Sequence, residues 1–176
     1  MTKTVNAAIL GRLMLDGKIS FDDDELLAQW QKDARAKIKV SDLLGMESGL
    51  AFNEDYGDVA DVTRMLYLDP DMVSLPANAP MEAPPGQRFR YSSGTAVLLS
   101  RIWMDRVGNP QAGFSYPHDA LFSPLGMTSA VFELDARGNL WVIHRTDPPI
   151  LAFDSSGNLL MSFGSGMFVQ PHSLHF

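Results

Sequence analysis

The stretch Lys3-Thr4-Val5-Asn6-Ala7-Ala8-Ile9-Leu10-Gly11-Arg12-Leu13-Met14-Leu15, closed by Gly17-Lys18, decides how this chain is read. Val5, Ile9 and Leu13 recur every four residues with Ala8 beside them, which is the spacing of one helix face. Gly17 followed by Lys18 is a stop signal, since glycine accepts the left-handed conformation that ends many helices. The spacing predicts a helix over residues 4–15. It begins almost at residue 1, with no room for a capping residue, so the expectation is that the sequence opens inside a domain.

Outward from this helix the chain reads as helical and soluble. The 176 residues suffice for one ordinary domain, and 45% hydrophobic with 20% charged residues is a globular composition. The net charge is −7 and no basic run occurs, so a nucleic-acid partner is not expected, because phosphate binding needs clustered lysine and arginine. No cysteine is present, which excludes disulfides and thiolate chemistry in these residues. No apolar run reaches the ~20 residues of a membrane span. The residues around Val5 are too broken by Asn6, Gly11 and Arg12 for a signal peptide.

Residues 21–31 read as an acidic turn and a short helix, and 40–44 as a short helix with Ser41 as its N-cap. Residues 46–52 read as a loop. Asp58 is placed to cap a helix carrying Val59, Val62, Met65 and Leu66 on one face. Five prolines between residues 69 and 86 argue against regular structure there. Phe89-Arg90-Tyr91 is extended. A helix after Ser92-Ser93-Gly94 carries Leu98, Leu99, Ile102 and Trp103 and stops at Gly108-Asn109-Pro110. Leu121 to Met127 closes this helical region.

From Ala130 the pattern changes to short β runs over 140–144, 150–153 and 159–163. Two turns, Asp135-Ala136-Arg137-Gly138-Asn139 and Asp154-Ser155-Ser156-Gly157-Asn158, are near-repeats of the hairpin type. The expected fold class is therefore α+β. A mostly helical part spans residues 1–133 and a short antiparallel β unit spans 134–176, with the boundary near Glu133 to Asp135.

Four motifs in order carry a resemblance. Met1-Thr2-Lys3 ahead of the first helix resembles a Ser-x-x-Lys motif that lacks its serine. Lys39 to Leu44 with Glu47-Ser48-Gly49-Leu50 resembles a Leu-Leu-x-His-Thr-Ser-Gly-Leu stretch, with Met46-Glu47 in place of His-Thr. Tyr91-Ser92-Ser93 after Pro85-Gly86-Gln87 resembles a Tyr-x-Asn or Tyr-Ser-Ser motif, and Pro124-Leu125-Gly126-Met127 a further common segment. Together they resemble the β-lactamase-related serine hydrolases, which include class C β-lactamases, D-alanyl-D-alanine peptidases, esterases and nylon-oligomer hydrolases. The resemblance implies hydrolysis of a small-molecule amide or ester through an acyl-enzyme, without a cofactor. It implies Lys3 as base, Tyr91 as proton relay and Ser93 as a substrate contact.

The chemistry explains those residue types. A serine hydroxyl is a weak nucleophile and needs a base within hydrogen-bond reach. A lysine one helical turn along points at the same spot. A tyrosine across the site can pass the proton to the leaving group. The family's serine would fall immediately before Met1, so these 176 residues are expected to be inactive. Lys3 alone would read as a solvated charge, and Ser92-Ser93-Gly94 as a turn and helix cap.

The family's third motif, Lys-Thr-Gly or His-x-Gly, is not found after residue 133. Residues 138–176 resemble instead the start of an NHL-type β-propeller, as in peptidyl-hydroxyglycine amidating lyases, with His172 in Gln170-Pro171-His172-Ser173 at a zinc-ligand position. Zinc needs about three protein ligands, and His144, His172 and His175 are not expected to supply them all. The expected picture is two family fragments joined end to end. Three readings stand: a serine hydrolase by lineage, a non-catalytic interaction piece that self-associates through unpaired β edges, and a zinc-dependent propeller lyase.

Overall fold

The computed structural model describes residues 2–57, 59–127, 140–143, 148, 150–153 and 158–166. It divides into two compact units, Met1–Tyr116 and Pro117–Phe176. The boundary expected near residue 133 and the turn at 135–139 lie outside the described residues, as do His144, His172 and His175.

The first unit is built on two helices, α1 (Thr2–Leu15) and α5 (Ser93–Val107). The buried stripe of α1 is Asn6, Ile9, Leu10 and Leu13, while Ala8 is exposed. The apolar spacing therefore located the helix but set its inner face slightly wrong, because one core position is an asparagine. Asn6 meets three groups on α5. Its Nδ2 donates to the Ala96 carbonyl at 3.1 Å and to Ser100 Oγ at 2.8 Å, and its Oδ1 accepts from Trp103 Nε1 at 3.1 Å, with the Ser100 hydroxyl also in reach at 3.1 Å. The helices run in the same direction, since Lys3 meets Ser93 and Asn6 meets residues 96–103.

α5 forms where expected and buries Leu98, Leu99, Ile102 and Trp103. Ser92 caps it, accepting from the Thr95 N–H at 3.0 Å. It stops at Gly108, whose φ of 121° is closed to residues with a side chain. The stop is brief. Asn109 accepts from the Ala112 N–H at 2.9 Å and Pro110 begins α6 (Pro110–Pro117), proline being suited to a first helical position.

Shorter elements surround this pair: α2 (Val40–Leu44), α3 (Asp61–Tyr67) and α4 (Ser74–Ala77), with 3₁₀ turns at Ala28–Trp30 and Ala34–Lys37. Two capping expectations change. Ser41 lies inside α2, and the Asp42 carboxylate reaches back to the Lys39 N–H at 2.9 Å instead. Asp58 lies outside the described residues, and α3 starts at Asp61, where Thr63 Oγ1 accepts from the Ala60 N–H at 2.8 Å. The proline-rich stretch does contain a helix, α4. Pro76 is tolerated there because it is the third residue, where the missing N–H has no helical partner to lose. Val62 and Met65 of α3 are buried against Phe52, whereas Val59, ahead of the helix, is 70% exposed.

The second unit opens with a π-helical turn, His118–Phe122, and then carries β1 (Leu140–Ile143), β2 (Ile150–Phe153) and β3 (Leu159–Phe163). These pair antiparallel in the order β1-β2-β3. Ala152 pairs with Met161 and Phe153 with Leu159, so Leu160 is bulged out. Ile150 and Ala152 are buried, while every residue of β3 is exposed.

Replacing Asn6 by alanine strands the Trp103 indole N–H in the helix interface, while the Ser100 hydroxyl keeps the Ala96 carbonyl as its acceptor. The expected loss is about 2–4 kcal/mol of unfolding free energy in urea titrations. A loss under about 0.5 kcal/mol would show that the interface does not depend on this residue.

Candidate functional site

The site forms at the start of both long helices. Lys3 stands one turn before Asn6, so the contact that locks Asn6 onto α5 also lays Lys3 beside the first turn of that helix. Its ammonium donates to Ser93 Oγ at 3.3 Å and lies over the Tyr91 ring, 4.8 Å from the centroid. A cation over an exposed ring contributes about 0.5–1 kcal/mol. Tyr91 is 53% exposed and Lys3 half-buried, so ligands can reach both from solvent. The three residues named from sequence thus meet within one turn's reach of each other, although 88 positions separate Lys3 from Tyr91.

A fourth group was not expected. Glu54 accepts from the Ser93 N–H through Oε2 at 2.8 Å and from the Ser93 hydroxyl through Oε1 at 2.5 Å. The Tyr56 hydroxyl donates to the same Oε1 at 3.4 Å. The loop that carries Glu54 is held from several sides. The Asn53 N–H donates to Asp61 at 2.9 Å, the Val62 N–H donates to the Asn53 carbonyl at 3.1 Å, and Arg90 donates to the Phe52 carbonyl at 3.2 Å. Arg90 also pairs with Glu82, and its own N–H donates to the Met46 carbonyl at 2.7 Å. In sequence Glu54 is one acid in the run Asn53-Glu54-Asp55-Tyr56. No local spacing announces a partner 39 positions on.

The Ser48-Gly49-Leu50 segment is pinned just upstream. Gly49 has a φ of 76°, and a side chain there would meet the Ala83 carbonyl oxygen at 2.1 Å. Met46, where the family stretch has histidine, also adopts a positive φ of 58°. Among the described residues no group of three or more His, Asp or Glu could hold a metal. No described helix is long and apolar enough to cross a membrane.

The parallel pair α1 and α5 thus presents Lys3 and Ser93 to one another, with Tyr91 just ahead of α5. The family model described as Beta-lactamase matches residues 1–171, and the chain belongs to that family. Solved structures agree. A candidate beta-lactamase from Bacteroides dorei DSM 17855 is 25% identical with a TM-score of 0.53, over 77% of this chain and 40% of that one. A penicillin binding protein from Bacillus halodurans is 26% identical with a TM-score of 0.56, over 91% and 47%. A D-amino acid amidase from Ochrobactrum anthropi SV3, complexed with L-phenylalanine amide, shares the fold at 21% identity with a TM-score of 0.53, over 89% and 45%. The chain spans less than half the length of each of these proteins. No curated protein matches it significantly by sequence. The comparisons give no support to a propeller-type second part, since the family match runs through it to residue 171.

Gly94 sets how closely α5 approaches the Glu54 loop. A side chain there would lie 2.6 Å from Phe52 Cε2 and 2.9 Å from Pro76 Cβ. Gly94→Ala is expected to destabilise the protein by about 1–3 kcal/mol in urea titrations, despite alanine's better helix propensity. A stabilised variant would show that this packing is looser than described.

Proposed function

We infer that the chain carries the lysine–tyrosine part of a serine-hydrolase site that acts on a small amide or ester through an acyl-enzyme. The observation that carries this reading is the convergence of Lys3, Tyr91 and Ser93. In this reading the Lys3 amine takes the proton of a serine hydroxyl as that oxygen attacks the carbonyl carbon. The Tyr91 phenol passes a proton to the departing amine or alcohol, and Ser93 offers a polar contact to the substrate. The L-phenylalanine amide held by the Ochrobactrum amidase and the penicillin for which the Bacillus protein is named fit that class of carbonyl substrate.

The residue one helical turn before Lys3 would have to be the nucleophile, and residues 1–176 hold no serine there. Thr2 and Thr4 are wrongly spaced for the role. The 176-residue chain is therefore expected to cleave nitrophenyl acetate and nitrocefin at no more than the buffer rate. Placing a serine directly before Met1 is expected to yield a covalent acyl adduct with nitrophenyl acetate, read by mass spectrometry, and Lys3→Ala should abolish it. A burst from the unextended chain that depends on Lys3 would overturn the inactivity. An adduct indifferent to Lys3 would overturn the assignment of the base.

A second reading, a self-associating interaction piece, is favoured by β3. Among the described residues that strand is the last of its sheet, and it exposes Leu159, Leu160, Met161 and Phe163 at 40–55%. An edge strand with apolar side chains is a template for pairing with another chain. Size-exclusion chromatography of the chain should then show concentration-dependent dimers, reduced by Leu160→Lys. A monomer at all concentrations would count against it.

A further inference from the structure

We propose that Glu54 is a positioning residue that fixes where the Lys3 ammonium sits, by dictating which way the Ser93 hydroxyl points. A serine hydroxyl has one proton and two lone pairs. With its proton committed to Glu54 Oε1 at 2.5 Å, Ser93 Oγ presents only lone pairs to its other neighbour. An ammonium has donors and no acceptor, so it binds that oxygen, as Lys3 does at 3.3 Å. Were the hydroxyl turned the other way, two donors would face each other and Lys3 would swing free.

The carboxylate is itself held in place. Its second oxygen accepts from the Ser93 N–H at 2.8 Å, and the Tyr56 hydroxyl approaches the first at 3.4 Å. The Ser93 N–H belongs to the first turn of α5, where backbone donors lack helical partners and negative charge is favoured. A carboxylate suits this place because both of its oxygens accept. An amide has one acceptor and one donor end. With glutamine at position 54, one of the two Ser93 groups would confront an N–H₂. The backbone N–H cannot turn whereas the hydroxyl can, so the amide oxygen stays with the N–H, the N–H₂ faces Ser93 Oγ, and the hydroxyl proton turns toward Lys3.

The catalytic meaning of this arrangement rests on the acyl-transfer reading, in which the Lys3 amine must be aimed at the nucleophile. Its geometry can be tested without turnover. Protons held over an aromatic ring are displaced upfield in ¹H NMR, so the ε-methylene protons of Lys3 report their position over Tyr91 in the 176-residue chain. The displacement is expected in the unaltered protein and is expected to be lost in Glu54→Gln, with the amide signals of Ser100 and Trp103 unchanged. Ser93→Ala, which keeps the backbone donor to Glu54 but removes the hydroxyl link, should lose it as well. A wild-type Lys3 shift in Glu54→Gln would overturn the proposal. If that variant does not fold, a wild-type shift in Ser93→Ala would overturn it equally. The two ideas fail separately. A Lys3 signal that responds to Glu54, together with an added serine that is not acylated, defeats only the acyl-transfer reading. Lys3-dependent acylation with a signal indifferent to Glu54 defeats only the positioning role.

Discussion

Asn6 carries a donor and an acceptor onto the buried face of α1, whose other members, Ile9, Leu10 and Leu13, are apolar. Burying an amide in such surroundings is costly unless both its ends are bonded. Both ends are bonded, to Ala96, Ser100 and Trp103. Apolar packing alone would tolerate a slide of one helix along the other. The paired amide does not, because a shift of one turn would leave the Trp103 indole and the asparagine without partners. That fixed register sets Lys3 beside Ser93 one turn earlier, and the rest of the site follows from it.

The second constraint is the path from Gly45 to Arg90, which has little regular structure yet is closely held. Leu50 pairs with Met81, Arg90 bonds the Phe52 carbonyl, and Trp30 donates to the Ala77 carbonyl at 2.8 Å. Phe52 packs with Val62 and Met65 on one side and against Gly94 on the other. Polar bonds to backbone carbonyls and one aromatic side chain thus do what a sheet would do elsewhere. They carry Glu54 to the start of α5 with both carboxylate oxygens facing Ser93. Only a glycine at 94 permits so close an approach.

Membership of the beta-lactamase family gives these contacts their chemical sense, and the length comparison limits it. The chain spans less than half of each solved relative, so the site described is the part that α1, α5 and the connecting loops supply. Among the described residues β3 is the last strand of its sheet, and all five of its residues are exposed.

What the residues determined on their own was local. Helix periodicity located α1 and α5, the Gly108-Asn109-Pro110 break fell where expected, and the three β runs were visible as short apolar segments between turn residues. Three of the four site residues were legible because they sit in motifs of fixed spacing around Lys3 and Tyr91. Other features depended on contacts between distant positions. Asn6 reads as an interruption of an apolar stripe until Trp103 and Ser100 stand opposite it. Pro76 reads as a helix breaker until its place in the first turn of α4 is known. Glu54 reads as one more surface acid until the fold brings the first turn of α5 against it. Periodicity and capping depend on neighbours a few residues apart, whereas the partner of a buried or bonded polar group is chosen by packing across the whole chain.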